Sequence, residues 1–180
     1  MQLLANIDVP DLAKATDFYC ACFGLKVGRR LGNSGVELLG ASSAIYLLEK
    51  PGGSVATATS TQRRDYSRHW TPVHLDFIVA DIHAAVRQAR AAGAQLEGDV
   101  RTANWGRIAA FSDPWGHGFC LVEFLGRGYD EIAEADSSGC PSRHSRDTEH
   151  PREDGEGSHY DDENGRATPR TPSRHHHRPT

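Results

Sequence analysis

The sequence predicts an α+β fold built from two tandem βαβββ modules. Three observations lead there: a repeated strand-to-helix opening, a repeated glycine stop, and a repeated closing strand within the first 135 residues. Ile7-Asp8-Val9-Pro10-Asp11-Leu12 opens one module, and Phe77-Ile78-Val79-Ala80-Asp81-Ile82 opens the other. In each, an apolar strand gives way to an aspartate, whose carboxylate can accept from the orphan amides of a first helical turn. Ile45-Tyr46-Leu47-Leu48-Glu49 and Phe119-Cys120-Leu121-Val122-Glu123 close the modules in the same pattern.

Helical spacing follows each aspartate. Leu12, Ala15, Tyr19, Cys22 and Phe23 fall on one face, and Ile82, Ala85, Val86, Ala89 and Ala92 repeat the pattern. Gly24 and Gly93 stop the two helices. A strand is expected after each glycine, Leu25 to Leu31 and Gln95 to Arg101. The third strands are expected at about Val36–Leu39, after the Gly32-Asn33-Ser34-Gly35 turn, and at Trp105–Phe111. Asp113-Pro114-Trp115-Gly116 has the chemistry of a tight turn, with Asp, Pro and Gly at its first, second and fourth positions. Residues 50–72 join the modules and are long enough to serve as a mobile flap over a site.

Domain organisation follows from composition. The modules span about residues 1–50 and 72–128 of an ordered domain ending near residue 135, and residues 136–180 are nearly devoid of large apolar side chains. Such a segment cannot bury enough surface to offset chain entropy, so it is expected to be disordered. Its histidines, among them His175, His176 and His177, are read as solvated polar residues and not as a metal site.

A formal charge of −4 over 180 residues offers no basic stripe for nucleic acid. No apolar run is long enough for a membrane helix. The N-terminal residues lack the basic and apolar regions of a signal peptide. Four cysteines, Cys20, Cys22, Cys120 and Cys140, form neither a disulfide framework nor a paired zinc motif. The expected setting is reducing and cytoplasmic.

Val9-Pro10-Asp11-Leu12 leading to Phe18-Tyr19 and Phe23-Gly24-Leu25 resembles the first module of the vicinal-oxygen-chelate superfamily, which includes glyoxalases, bleomycin-resistance proteins and extradiol dioxygenases. His74 through Val79 with Asp81-Ile82 resembles its second module, and Asp113 through His117 followed by Phe119-Cys120-Leu121-Val122 its closing hairpin. The resemblance covers about residues 1–128. It implies a curved eight-stranded mixed sheet around a cavity, and a homodimer is the expected assembly because open sheet edges call for a partner.

In the metal-using members four strands supply the ligands, and the matching positions here are Leu4, Tyr46, His74 and Cys120. Of these His74 is the usual ligand, so the expectation is no cofactor, with one divalent metal ion as the alternative. Alternation along strands places Asn6, Asp8, His74 and Asp76 opposite the helix-facing apolar residues. Tyr46, Cys120, Trp105 and Arg107 are expected to complete the wall. Glu49 and Glu123 fall on the other face and are read as solvated strand ends.

Two functions stay open. One is a metal-independent protein that binds a small molecule, with Trp105 and Tyr46 stacking on it and Asn6, Asp8, Asp76 and Arg107 contacting it. The other is a lyase or isomerase of the glyoxalase type, with His74 as general base or Cys120 as thiol.

Overall fold

A computed structural model describes residues 1–134; the expectation for residues 136–180 lies outside the described residues. The first module runs β1 (Ala5–Val9), α1 (Leu12–Phe23), β2 (Lys26–Leu31), β3 (Gly35–Leu39) and β4 (Ile45–Glu49). The second runs β5 (Leu75–Ile78), α2 (Ile82–Ala92), β6 (Gln95–Leu96), β7 (Arg101–Ala103), β8 (Gly106–Ser112) and β9 (Gly118–Phe124). A short 3-10 turn over Gly128–Glu131 follows. The fold class is therefore α+β, with the βαβββ order used twice.

The topology repeats. Strands of the first module are ordered β1-β4-β3-β2 and those of the second β5-β9-β8-β6, with β7 added against β8. In both, the first and last strands pair in parallel, Asn6 opposite Tyr46 and Asp76 opposite Cys120. No ladder joins the modules among the described residues, so the strands form one mixed sheet of four and one of five. The expected second strand of module two is broken in two. Gly98 between its halves takes a φ of 91°, a left-handed turn that glycine adopts without a Cβ penalty.

Both helices start and end as their sequence signals require. Asp11 accepts from the Lys14 amide at 3.0 Å and Asp81 from the Ala84 amide at 2.9 Å. Gly24 and Gly93 close the helices in the left-handed conformation. Glu49 and Glu123 do more than the expected strand ends, although Glu49 stays exposed. Glu49 accepts from the Leu12 amide at 2.9 Å and Glu123 from the Ile82 amide at 3.4 Å, so each closing strand delivers a carboxylate to its own helix N-terminus. Negative charge is favoured there by the exposed amides and the helix dipole.

The helices cover one face of each sheet and pack against one another, with the Gln88 amide donating to the Ala21 carbonyl at 2.9 Å. The core joins Val36, Leu38 and Leu47 with Ile82, Phe111 and Leu121, all at most 1% exposed. Each contributes roughly 1.5–3 kcal/mol relative to exposure. Phe23 of α1 stacks on Phe77 of β5 at 3.8 Å between centroids, which ties the first helix to the second sheet.

Residues 50–72 fold back on themselves. Val55 bridges Arg63, and the amides of Gly53 and Arg64 pair with the carbonyls of Arg64 and Ser54. Arg64 is anchored on β1 by Asp8, and Arg68 pairs with Glu97 at the end of β6. The chain at Ser67 lies so close to Gly116 that a side chain there would collide with the Ser67 carbonyl.

Candidate functional site

Strands β1 and β5 are edge strands of their sheets, and both line a cavity of about 740 Å³. Leu3, Leu4, Val73, Leu75, Phe77 and Phe119 give it an apolar body, while Asn6, Asp8, His69, His74 and His117 give it polar groups. A second cavity of about 550 Å³ runs between the Gly40–Ser43 loop and β5, and Asp76 lines it. The larger cavity carries the candidate chemistry, since it gathers polar groups from both modules.

The expected wall residues do not all meet in one place. Asn6, Asp8 and His74 line the larger cavity. Asp8 is already neutralised by Arg64, whose Nε lies 2.7 Å from its carboxylate, so it is not a free attractor for a cationic ligand. His74 precedes β5 by one residue, and its Nε2 lies 3.2 Å from an Asp76 oxygen. Cys120, opposite Asp76 in the ladder, is buried. Its thiol is pushed up to about 11, first by burial and then by the neighbouring Asp76 carboxylate and their hydrogen bond. His74, Asp76 and Cys120 thus form one group, with ligand atoms within 4.8 Å of one another.

Tyr46 stands apart from that group. Its hydroxyl donates to Glu37 at 2.7 Å and accepts from Arg29 at 2.9 Å. Arg29 also grips Glu37 through Nε at 2.9 Å and Nη2 at 2.6 Å. The paired guanidinium and the tyrosine hydroxyl hold the Glu37 carboxyl down to about 2. The Glu37 carboxylate and burial push the Tyr46 phenol up. Glu37 is a buried charge in an otherwise apolar strand, and sequence reasoning missed it. Its signal was a lone carboxylate within Val36–Leu39 and an arginine on the strand before.

Trp105 and Arg107 do not share a face, contrary to their spacing. Strand β8 starts at Gly106, which leaves Trp105 in the preceding turn, packed on Tyr129 at 4.9 Å and Phe124 at 6.5 Å. Gly106 faces the Glu123 carbonyl so closely that a Cβ would collide, which fixes where the strand begins. Arg107 instead pairs with Glu123 at 3.0 Å, on the helix side of the sheet. Neither residue lines the larger cavity.

A further polar group was read from sequence only as a turn. Buried Asp113 accepts from the Tyr19 hydroxyl at 2.7 Å, the Trp115 and His117 amides at 2.9 Å each, and His117 Nδ1 at 2.8 Å. This ties the turn to α1 and orients the His117 ring at the cavity wall. His69 lies beside it, with ring centroids 5.9 Å apart. The outward signal was the histidine directly after Asp113-Pro114-Trp115-Gly116.

The metal set implied by the resemblance does not fit these residues. Leu4 has no donor atom, and the Tyr46 hydroxyl is committed to Glu37 and Arg29. Two of the four positions are therefore lost; the two that remain, His74 and Cys120, offer nitrogen and sulfur, with the Asp76 carboxylate, outside the set, beside them.

Two mixed sheets, each carrying one helix and opening on edge strands that share a cavity, define the paired-βαβββ class. A family model described as a glyoxalase-like domain matches residues 5–122, and the chain belongs to that family. The vicinal-oxygen-chelate resemblance is thereby shown. Solved structures agree on the fold. The genomically encoded fosfomycin resistance protein FosX from Listeria monocytogenes is similar at 22% identity and a TM-score of 0.53, over 69% of this chain and 93% of that one. TioX from Micromonospora sp. ML1 is similar at 16% identity and a TM-score of 0.55, over 69% and 99%. A glyoxalase/bleomycin resistance protein/dioxygenase family enzyme from Burkholderia phytofirmans PsJN is similar at 20% identity and a TM-score of 0.53, over 68% and 97%. No curated protein matches the chain. Among the described residues no helix is long and apolar enough to cross a membrane.

Proposed function

We propose that this chain binds a small organic molecule in the cavity between β1 and β5, without the four-position metal set of its superfamily. The observation that carries the reading is the lining of that cavity. An apolar body is flanked by Asn6, His74 and His117, the composition of a site that takes a ligand by its hydrocarbon part and orients it with a few hydrogen bonds. Binding is favoured over catalysis because Cys120, the candidate nucleophile, is held as the thiol, which is a weak nucleophile. A homodimer fits this reading, since Leu4, Leu39, Ile78 and Phe124 are exposed apolar side chains that a second copy would cover.

Trp70 is the natural reporter, because its ring lies 5.2 Å from that of His74. Titration with planar aromatic drugs and small hydroxylated acids is expected to give saturable quenching that Trp70→Phe removes and Trp105→Phe retains. Leu4→Trp, a half-exposed position on the cavity wall, fills the space and abolishes it. Quenching that persists unchanged in Leu4→Trp would place the ligand elsewhere and overturn the reading.

A further inference from the structure

We propose that His74, Asp76 and Cys120 form a zinc-selective site, with the remaining coordination position open to solvent or ligand. The proposal goes beyond the small-molecule reading and does not depend on it, since a cation here sits on the second module alone.

The backbone brings the donors together. Parallel pairing sets Asp76 directly across from Cys120, and strand alternation puts His74, two residues earlier, on the same side as Asp76. The sulfur lies buried at the base, while the His74 and Asp76 side chains are 32% and 35% exposed, which leaves a way in for an ion. A tetrahedral ion with bonds of about 2.0–2.3 Å needs its donors roughly 3.3–3.7 Å apart. The imidazole–carboxylate separation of 3.2 Å lies just under that, and all three donor atoms lie within 4.8 Å, so the remaining adjustment is about an ångström.

The donor chemistry selects the ion. A thiolate with one imidazole and one carboxylate suits the borderline-soft zinc ion, whereas magnesium and manganese prefer all-oxygen or oxygen–nitrogen shells. Charge also balances: the thiolate and carboxylate carry two negative charges against two positive ones, on a wall where an unbalanced charge is costly. The surrounding charges change this little. Glu97 is paired with Arg68, and Arg101 lies near Cys120 as a favourable neighbour of the thiolate. On binding, the Cys120 thiol releases its proton to water, and the His74 ring carries its single proton on Nδ1 so that Nε2 can ligate. The site thereby abandons the Leu4 and Tyr46 positions and recruits Asp76, which the superfamily resemblance does not use.

Cobalt(II) titrated into the full-length chain tests this, because only a cysteine ligand gives sulfur-to-cobalt charge-transfer absorption in the near ultraviolet. The expected result is a charge-transfer band that saturates at one equivalent and is bleached by zinc but not by excess magnesium. The histidines near the C-terminus supply no sulfur and cannot produce it. Cys120→Ser should abolish the band, and Cys140→Ser should leave it. Asp76→Asn should weaken binding at least about tenfold, the loss that even outer-shell partners of a ligand cause. No band in folded wild type, a band that survives Cys120→Ser, or one that vanishes in Cys140→Ser would overturn the proposal. Should Cys120→Ser fail to fold by circular dichroism, His74→Ala decides, and unchanged cobalt affinity there would overturn it. Loss of ligand quenching with the cobalt band intact would sink only the small-molecule reading.

Discussion

The two modules are near copies on the side that faces their helices and unlike on the side that does not. Toward the helices, Asp11 and Asp81, Glu49 and Glu123, and Leu47 and Leu121 occupy equivalent places and do equivalent work. On the opposite side, Leu4, Asn6 and Tyr46 of the first module stand where the second has His74, Asp76 and Cys120. The first module closes that face with a tight Arg29–Glu37–Tyr46 network whose hydrogen-bonding groups satisfy one another. The second leaves a partly exposed imidazole and carboxylate over a buried thiol. The helix-facing side is thus alike in the two copies, while the opposite side is a closed network in one and a partly exposed polar group in the other.

The largest test of that comparison is in the core. Leu47→Ala and Leu121→Ala, both at buried equivalent positions, are each expected to cost about 2–5 kcal/mol by urea denaturation. Costs differing by most of that range would show that the helix faces are not energetic copies. Removing the helix caps comes next. Asp11→Ala and Asp81→Ala should each cost about 1 kcal/mol, as losing an N-terminal acceptor usually does.

The smallest effect separates the open faces. The Glu37 carboxyl is held at about 2 against an ordinary value of 4.5, so the folded state favours its ionised form. The stability it contributes is complete above about pH 4.5 and is lost as pH falls toward 2. Glu37→Gln should flatten the acid limb of a thermal-stability profile between those values. A limb as steep as that of the wild type would show that other carboxylates govern it.

Helix positions were legible because their signals are local: an aspartate before the first turn and a glycine after the last act on amides three or four residues away. The repeat was legible for the same reason, since each module carries its own set. What lay across space was not. Alternation assigned Glu49 and Glu123 to the correct face but could not reveal that a helix terminus waits there. Two-residue spacing put Trp105 beside Arg107 only if both were in the strand, and the strand begins between them. Glu37 was hidden within an apolar run because its partners, Arg29 and Tyr46, come from two other strands. His74, Asp76 and Cys120 were each chosen from sequence, but their convergence depends on the register of a parallel ladder, which no local pattern encodes.

The crossing at Gly116 joins the connecting arm to the closing hairpin. Its φ of 83° and the Ser67 carbonyl packed against it leave room for a hydrogen atom and nothing larger. His69 follows two residues after Ser67, and its amide donates to the Gly116 carbonyl at 3.4 Å, while His117 follows Gly116 directly. A methyl group introduced there would act as a wedge and push the connecting arm off the turn. The seat of that arm is thus set by a residue with no side chain of its own.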